Sequence, residues 1–226
     1  MKNLAIIPAR SGSKGLKNKN IKLLNGIPLM AYSIKAAQES GMFDEIMVST
    51  DSEQYAEIAK EYGADTPFLR EKYLSGDSVL IWDVVLDVLY KYRREKKHFD
   101  TICILQPTSP LRGASYIIDG YDLLKSKHAD AVTSVCEAEH SPLWCMALDL
   151  DCSLSDFRNG LQELPRQQLP QYYRLNGAIY IRKVVYNGED IKLCTKNEFA
   201  LIMPQAKSID IDTEIDFKLA EFFINK

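Results

Sequence analysis

Two aspartates near the C-terminus have a spacing that suggests metal chemistry. Asp210 and Asp212 alternate with isoleucines in the run SIDIDT, which begins at Ser208. On a strand, both carboxylates would project from one face, where they repel each other unless a cation lies between them. Hard oxygen ligands of this kind suit Mg²⁺. The alternative is that Asp212 caps the final helix and Asp210 is a solvated residue at a strand end.

The loop after the first apolar run could bind a polyphosphate. Between Pro8 and Asn20 it contains Gly12 and Gly15, which allow backbone amides to turn toward an anion. Its cations are Arg10, Lys14, Lys17 and Lys19. Amide donors and charges that converge on one anion suit a polyphosphate. The loop matches neither a Walker A loop nor a GxGxxG turn, and the alternative is a solvated basic loop.

Two further segments carry polar side chains with defined geometry. The run QPTSPLR, from Gln106 to Arg112, follows a strand-like stretch, and its prolines restrict the backbone. It is either part of a site or a rigid strand-to-helix connection. Arg166 and Arg174 flank a glutamine-rich stretch, and guanidinium groups match the geometry of a substrate carboxylate. Salt bridges at the protein surface are the alternative for these two arginines.

Alternating strand and helix patterns surround these segments and predict the fold. Strand-like runs cover 4–7, 45–49, 101–105, 129–135, 178–181, 199–203 and 208–211. Helical spacing covers 29–37, 55–62, 79–91, 115–125 and a last helix that starts near Asp212, with Ile215, Leu219, Phe222 and Phe223 on one face. We expect Asp51 to cap the second helix and Gly41 to end the first. The βαβα order predicts an α/β fold, a Rossmann-like and mostly parallel sheet with helices on both faces.

The chain length and one irregular stretch define the expected domain organisation. A chain of 226 residues is long enough for one domain, 1–226, with a full hydrophobic core. Residues 137–174 contain three prolines and no helical periodicity. A segment this long without regular structure predicts an insertion with its own role.

Composition excludes several classes of partner. A net charge of −3 provides no field for nucleic acid, and no apolar run reaches the roughly 20 residues of a membrane helix. The N-terminus carries no secretory pattern, so we expect a cytoplasmic protein. The five cysteines are scattered and contain no CxxC pair, which predicts reduced thiols in place of a disulfide framework or a structural zinc site.

Four segments together resemble the sialic-acid cytidylyltransferases, the family of CMP-N-acetylneuraminate synthetase and its close relatives. They are IPARSGSKGLKNKNI from Ile7, LQPTSPLR from Leu105, PRQQLPQYYRLNGAIYI from Pro165 and SIDIDTEID from Ser208. They occur in the family's order from the first strand to the last, so their joint occurrence is far more specific than any one of them. One departure is Trp144, where some family members have a lysine near the acceptor. That departure leaves the identity of the acceptor sugar open.

The resemblance implies a role for each matching residue. The nucleotide-binding residues would be Arg10, Lys14, Lys19, Asn20 and, near the cytosine, Arg70. The acceptor-binding residues would be Gln106, Arg166, Gln167 and Arg174. Asp210 and Asp212 would hold Mg²⁺, and together with Arg10, Lys14 and Lys19 they would form the catalytic set. Arg112 also matches but is open to a structural role. The insertion 137–174 would be a dimerisation arm that contributes to the acceptor site of a homodimer.

The activity implied by the resemblance is transfer of CMP from CTP to the anomeric hydroxyl of a sialic-acid-type nonulosonic acid, with release of pyrophosphate. Activation of 3-deoxy-octulosonate and transfer of a nucleotide to a sugar 1-phosphate are the enzymatic alternatives. A non-catalytic nucleotide-binding module would not need the paired aspartates. A dinucleotide oxidoreductase is disfavoured because a GxGxxG turn is missing.

Overall fold

The computed structural model describes residues 1–13, 15–148, 150–154 and 165–225, with the backbone alone at residue 166. Two of the expected site groups, Lys14 and the side chain of Arg166, therefore lie outside the described part of the chain. Within these ranges, no helix has both the length and the apolar character needed to cross a bilayer.

A seven-stranded sheet forms the centre of the molecule. The strands of the chain are β1 (Asn3–Pro8), β2 (Leu23–Leu24), β3 (Ile27–Pro28), β4 (Glu45–Ser49), β5 (Thr101–Ile104), β6 (Ala131–Glu137), β7 (Tyr173–Asn187), β8 (Asp190–Leu193) and β9 (Glu198–Ile202). The spatial order is β4, β1, β5, β7, β6 and β9, with β8 paired to β7, while β2 and β3 form a separate pair. β7 is antiparallel to its neighbours, and the other pairs in the large sheet are parallel.

Helices cover both faces of this sheet. In the described part of the chain they are α1 (Leu29–Ser40), α2 (Glu53–Glu61), α3 (Ile81–Arg94), α4 (Ala114–Ser126) and α5 (Glu214–Ile224). Because side chains alternate along a strand, Ala5 and Ile7 of β1 pack in the cluster with α1, α2 and α4, whereas Leu4 and Ile6 pack in the cluster with α3. The predicted α/β fold with a mostly parallel, two-sided sheet is therefore confirmed.

The prediction of a strand over 208–211 is wrong. A 3₁₀ turn, Gln205–Lys207, precedes this segment, and the amide of Ser208 donates back to the carbonyl oxygen of Gln205 at 2.9 Å. The amide of Ile211 donates to the carbonyl oxygen of Thr108 at 2.9 Å, and no strand pairing is formed by these described residues. The alternation of isoleucine and aspartate arises because Ile211 is fully buried beside α5, with Ile209 packed against the same cluster. The isoleucines alternate with aspartates because the isoleucine side chains are packed against the core, although the backbone of this segment is irregular.

Two helix details also differ from the prediction. Ser52 caps α2 by accepting a hydrogen bond from the amide of Tyr55, so Asp51 is not the cap. In α5 the buried residues are Phe217 and Ala220, whereas Ile215, Leu219 and Phe222 of the predicted apolar face are exposed. The helix is apolar on more than one side, so its periodicity could not identify the face that packs against Leu24 and Leu29.

Candidate active site

A cavity of about 350 Å³ lies at the carboxyl-end edge of β1 and β5. Ligands of open α/β sheets bind at this edge, outside the carboxyl ends of the strands. The expected site residues among those lining the cavity are Arg10, Lys19, Asn20, Arg70, Gln106, Asp210 and Asp212. Segments from the two ends of the chain and from its middle thus meet in one place.

Arg10 directs its guanidinium group across the cavity to the segment before α3. Its Nη2 donates to Oδ1 of Asp77 at 2.6 Å, and its Nη1 donates to the carbonyl oxygen of Ser75 at 3.1 Å. The backbone of the loop turns at Gly12, which has a φ of 74° in the left-handed region that glycine adopts readily. Arg10 is therefore a cation held at the cavity wall by an acidic partner that an anionic ligand could replace.

Asn20 is buried and holds the loop from inside. Its side-chain amide donates to the carbonyl oxygen of Arg10 at 3.0 Å. The same residue contributes to the cavity wall. The structure therefore gives Asn20 a direct role in the shape of the loop.

Lys19 connects the loop to the aspartate segment. Its ammonium group donates to the carbonyl oxygen of Ile211 at 2.5 Å and to Oδ1 of Asp212 at 2.8 Å. Gly15 makes a second contact, because a Cβ atom at this position would lie 2.7 Å from the carbonyl oxygen of Asp212. A side chain at residue 15 would separate the two segments.

Asp210 and Asp212 differ in their surroundings. Burial raises the pKa of Asp210, and the charge of Asp212 adds to this effect, while a hydrogen bond from the side chain of Thr108 opposes it. The side chain of Asp212 is 75% exposed. Thr213 and Asp216 form the capping box of α5, so Asp212 does not cap the helix and its carboxylate faces the cavity.

The two aspartates fit a magnesium ion that also has phosphate ligands. Among the described residues, no group of three or more histidine, cysteine, aspartate or glutamate side chains could hold a metal ion by itself. Mg²⁺ in nucleotide-handling proteins is commonly bound by one or two carboxylates together with phosphate oxygens and water. A pair of carboxylates on a cavity wall with nearby cations matches that donor set.

Two residues hold Gln106 in place. The sequence alone assigns no role to the first, Gly177, and leaves the role of the second, Arg112, open. Gly177 has a φ of 75°, and a Cβ atom there would lie 2.8 Å from Oε1 of Gln106 and 3.6 Å from Oδ2 of Asp210. The Asn-Gly pair at 176–177 is the sequence signal that indicates this close approach.

Arg112 is fully buried and donates to Ser33 Oγ at 2.6 Å and to the carbonyl oxygen of Gln106 at 3.4 Å. Burial lowers the pKa of Arg112 to about 10, and this residue supports the loop from outside the cavity.

Asn176 is a further missed residue and joins three segments behind the cavity. It is fully buried, and its side-chain oxygen accepts from Ser134 Oγ at 2.6 Å. Its side-chain nitrogen donates to Ser208 Oγ at 2.9 Å. These bonds fix the start of the aspartate segment relative to β6 and β7.

Arg70 is buried at the cavity wall. Its Nε donates to Ser49 Oγ at 3.1 Å, and its Nη2 donates to the carbonyl oxygen of Ser49 at 2.7 Å. Burial lowers the pKa of Arg70 to about 10, and the charge of Asp51 partly offsets this. Both nitrogens hold the end of β4, which places the rest of the guanidinium group beside the cavity.

The expected acceptor residues do not all lie at this cavity. Gln167 is exposed in the 3₁₀ turn Arg166–Gln168. Arg174 is exposed in β7, with Nη2 4.0 Å from a carboxylate oxygen of Glu139. Neither residue is among those that line the cavity. Both belong to the insertion 137–174 or its boundary, and the charge of Arg174 still reaches Asp210, where it opposes the rise in the pKa of that carboxyl group.

Comparisons with known proteins identify the family of the chain. Residues 4–198 match the family model described as "Cytidylyltransferase". The "CMP-N,N'-diacetyllegionaminic acid synthase" of Legionella pneumophila is 38% identical over 98% of this chain and 95% of its own length. The "N-acylneuraminate cytidylyltransferase" of Escherichia coli is 37% identical over 97% of this chain, which spans 51% of that protein.

A solved structure shares the fold at low sequence identity. The structure of "CMP:2-keto-3-deoxy-manno-octonic acid synthetase" in complex with CTP superimposes with a TM-score of 0.71 and 12% identity, over 100% of this chain and 99% of the other. At this identity the likeness concerns the fold alone. The family model covers most of the chain, and the relatives are similar over nearly all of it. The chain is therefore a member of the cytidylyltransferase family.

Proposed function

We propose that the protein transfers CMP from CTP to the anomeric hydroxyl of a sialic-acid-type nonulosonic acid and releases pyrophosphate. The observation that carries the proposal is the cavity in which Arg10 and Lys19 face Asp210 and Asp212. A triphosphate needs cations, and the attack on phosphorus needs charge stabilisation, so one cavity with both groups suits nucleotidyl transfer. The names of the two relatives support CTP and a nonulosonic acid as the substrates.

The chemical step is an in-line attack of the anomeric oxygen on the α-phosphorus of CTP. A bond forms between that oxygen and phosphorus, and the bond from phosphorus to the bridging oxygen of pyrophosphate breaks. Arg10, Lys14 and Lys19 neutralise the charge that develops on the leaving pyrophosphate. Asn20 and Arg70 complete the nucleotide site, and Gln106 faces the acceptor. The proton of the anomeric hydroxyl passes to an aspartate carboxylate of the site.

Asp210 and Asp212 are the residues that would hold Mg²⁺. When bound, the ion would supply charge stabilisation to the phosphate oxygens. The residues of the chain account for the remaining requirements. Lys19 keeps Asp212 in place before substrates bind, and the hydrogen bond from Thr108 orients Asp210. Positioning and electrostatics provide most of the catalysis in reactions of this type, so no histidine is required.

The insertion 137–174 is proposed to be a dimerisation arm. Its described part exposes large apolar side chains at Leu143, Trp144, Met146, Leu148 and Leu154. Several large apolar side chains exposed along one segment favour packing against a partner protein. Dimerisation would also bring Arg166 and Gln167 of one subunit toward the cavity of another, while Arg174, whose charge opposes the rise in the pKa of Asp210, acts within its own subunit. Sedimentation velocity tests the arm directly, since we expect a dimer that the double substitution Leu148→Asp and Leu154→Asp converts to a monomer.

A pyrophosphate-release panel tests the function and identifies the sugar. CTP is paired in turn with legionaminate, N-acetylneuraminate, pseudaminate, 3-deoxy-octulosonate and a sugar 1-phosphate. We expect turnover with one of the first three, and the Legionella relative favours the diacetylated legionaminate. Turnover with 3-deoxy-octulosonate alone or with a sugar 1-phosphate alone would assign the enzyme to one of the two other classes. CTP binding without any turnover would indicate a non-catalytic module.

A further inference from the structure

The peptide unit between Arg10 and Ser11 is held at both of its polar ends. Its carbonyl oxygen accepts from the side-chain amide of Asn20 at 3.0 Å, and its amide donates to Oδ1 of Asp51 at 2.7 Å. The Ser11 hydroxyl donates to the second carboxylate oxygen of Asp51 at 3.0 Å. A peptide plane fixed at both ends cannot rotate freely. The direction in which the Arg10 side chain leaves the backbone is therefore fixed as well.

The bond to Asp51 continues the pairing of β1 with β4. The two strands are in parallel register up to Pro8 and Ser49, and the amide of Ala9 donates to the carbonyl oxygen of Ser49 at 2.9 Å. Bonds in a parallel ladder recur every second residue, so the next one would join the amide of Ser11 to the backbone carbonyl of residue 51. The carboxylate of Asp51 accepts this bond in place of the carbonyl. A side chain thus extends the ladder into the loop.

Asp51 acts from behind the loop. It is partly buried, and the described residues that line the cavity do not include it. Its carboxylate receives an N–H and an O–H donor, and hydrogen bonds to an ionised group are stronger than neutral ones. The cap of α2 is supplied by its neighbour Ser52, so helix capping does not explain Asp51. Its hydrogen bonds hold the loop, and its charge also acts on the buried guanidinium group of Arg70.

We propose that Asp51 is a positioning residue that orients Arg10 for the triphosphate by extending the β1–β4 pairing into the loop. The proposal rests on the proposed function, in which Arg10 contacts the phosphates of CTP. Asp51 itself touches no substrate. Its effect is geometric, because what it controls is the orientation of the peptide unit that carries Arg10.

Two conservative substitutions separate geometry from charge. Asp51→Asn removes the charge but keeps an oxygen for the Ser11 amide and gains a nitrogen that can donate to the Ser11 hydroxyl. Asp51→Glu keeps the charge but adds a methylene that pushes the loop away. We expect Asp51→Asn to retain kcat/KM for CTP within about threefold, while Asp51→Glu and Asp51→Ala lose about tenfold or more, the scale of one hydrogen bond. The KM for the sugar should stay within about twofold in all three. Equal activities for the Asn and Glu variants, or a more active Glu variant, would overturn the proposal.

Ser52→Ala is the matched control for stability. It removes the cap of the helix that follows Asp51, and the Ser52 hydroxyl makes no hydrogen bond to the described residues of the loop, so Tm should fall while kcat/KM for CTP stays within about twofold. If Asp51→Ala behaves like Ser52→Ala, with a lower Tm and unchanged kcat/KM for CTP, Asp51 is merely structural.

A double-mutant cycle with Arg10→Ala tests whether Asp51 acts through Arg10. In the Arg10→Ala background, Asp51→Ala should change the Kd for CTP, measured by calorimetry, by less than about twofold. Additive effects would contradict the proposal. An unchanged Kd in Arg10→Ala alone would instead show that the loop is not the nucleotide site, which is a failure of the proposed function. The two failures are thus distinguishable.

Discussion

The ammonium group of Lys19 lies 2.8 Å from Oδ1 of Asp212, a residue 193 positions later in the chain. The Lys19 side chain is only 11% exposed, and its second partner is the carbonyl oxygen of Ile211. One buried cation therefore joins the proposed phosphate loop to the proposed metal-binding aspartates. Binding of CTP and Mg²⁺ would give Lys19 and Asp212 new partners in the same place.

Lys19→Met is expected to damage catalysis through the nucleotide. The methionine side chain has similar length but leaves Asp212 without its cation and the triphosphate without one of its contacts. We expect kcat/KM for CTP to fall by about 10²–10³-fold, the loss typical of a missing charge-stabilising group. Lys22→Met is the control, because Lys22 pairs with the nearby Glu214 at 2.6 Å outside the cavity. Equal effects of the two substitutions on kcat/KM for CTP would show that the loop is a solvated basic surface with no role in nucleotide binding.

Gly177→Ala tests the close approach of β7 to Gln106. Both the φ of 75° and the 2.8 Å distance to Oε1 of Gln106 oppose a Cβ atom. We expect a stability loss of about 1 kcal/mol or more and a reduced kcat/KM for the sugar. Gly188→Ala provides the comparison, because Gly188 also has a positive φ but no atom within 4 Å of the added Cβ. We expect Gly188→Ala to lose a similar amount of stability and to keep the same kcat/KM for the sugar. An unchanged kcat/KM for the sugar in Gly177→Ala would contradict the account.

The elements that position the site could be predicted where burial and periodicity agree. The β4 strand, Glu45–Ser49, has the predicted bounds, because a short apolar run ends at a polar turn. Prediction failed at 208–211, where alternation came from packing of Ile211 and not from strand pairing. The predicted length of β7 is also too short, because the sequence predicts a strand over 178–181 and the observed strand is Tyr173–Asn187. Polar residues and the Asn-Gly pair interrupt its pattern, and its length depends on partner strands far away in the sequence.

The candidate site was predicted residue by residue through motif resemblance, and the geometry adds what motifs do not contain. Arg10, Lys19 and Asp210 line one cavity as expected. The partners that hold them could not be predicted, since Asp77 and Asp51 are brought to the loop by tertiary folding. No local spacing signals such contacts. Residue type and position alone fit a helix cap at Asp51 equally well, and they do not reveal its contact with Ser11.

Glu198 is predicted to make stability dependent on pH. Burial opposes its ionisation, but hydrogen bonds from Thr133 and Arg182 and the charge of Arg182 hold the pKa of Glu198 below its ordinary value. A depressed folded-state pKa contributes stability that is present above the ordinary pKa of 4.5 and is lost as pH falls through the lower folded value. Glu198→Gln should therefore lower the free energy of unfolding at pH 7 by up to about 1 kcal/mol, the scale of a partly exposed pair, with a matching fall in Tm. Its stability should converge with that of the unmodified protein near pH 3.

The control for this pH series is Asp130→Asn. Asp130 pairs with Lys183 at 3.5 Å, and both side chains are more than one-third exposed. An exposed pair contributes little, so its removal should change the unfolding free energy by less than about 0.5 kcal/mol at either pH. A Tm gap for Glu198→Gln that persists unchanged to pH 3 would show that packing, and not ionisation, accounts for the effect.

The central claim is that the cavity joining Lys19 to Asp210 and Asp212 transfers CMP with the help of Mg²⁺. The most direct measurement is the release of pyrophosphate from CTP and a nonulosonic acid by the unmodified protein, Asp210→Asn and Asp212→Asn across a series of Mg²⁺ concentrations. The account predicts one pyrophosphate per CMP-sugar formed, no turnover after chelation, and a loss of about 10²-fold or more in each variant at unchanged Tm. Turnover near the unmodified rate in both variants at limiting Mg²⁺ would contradict it.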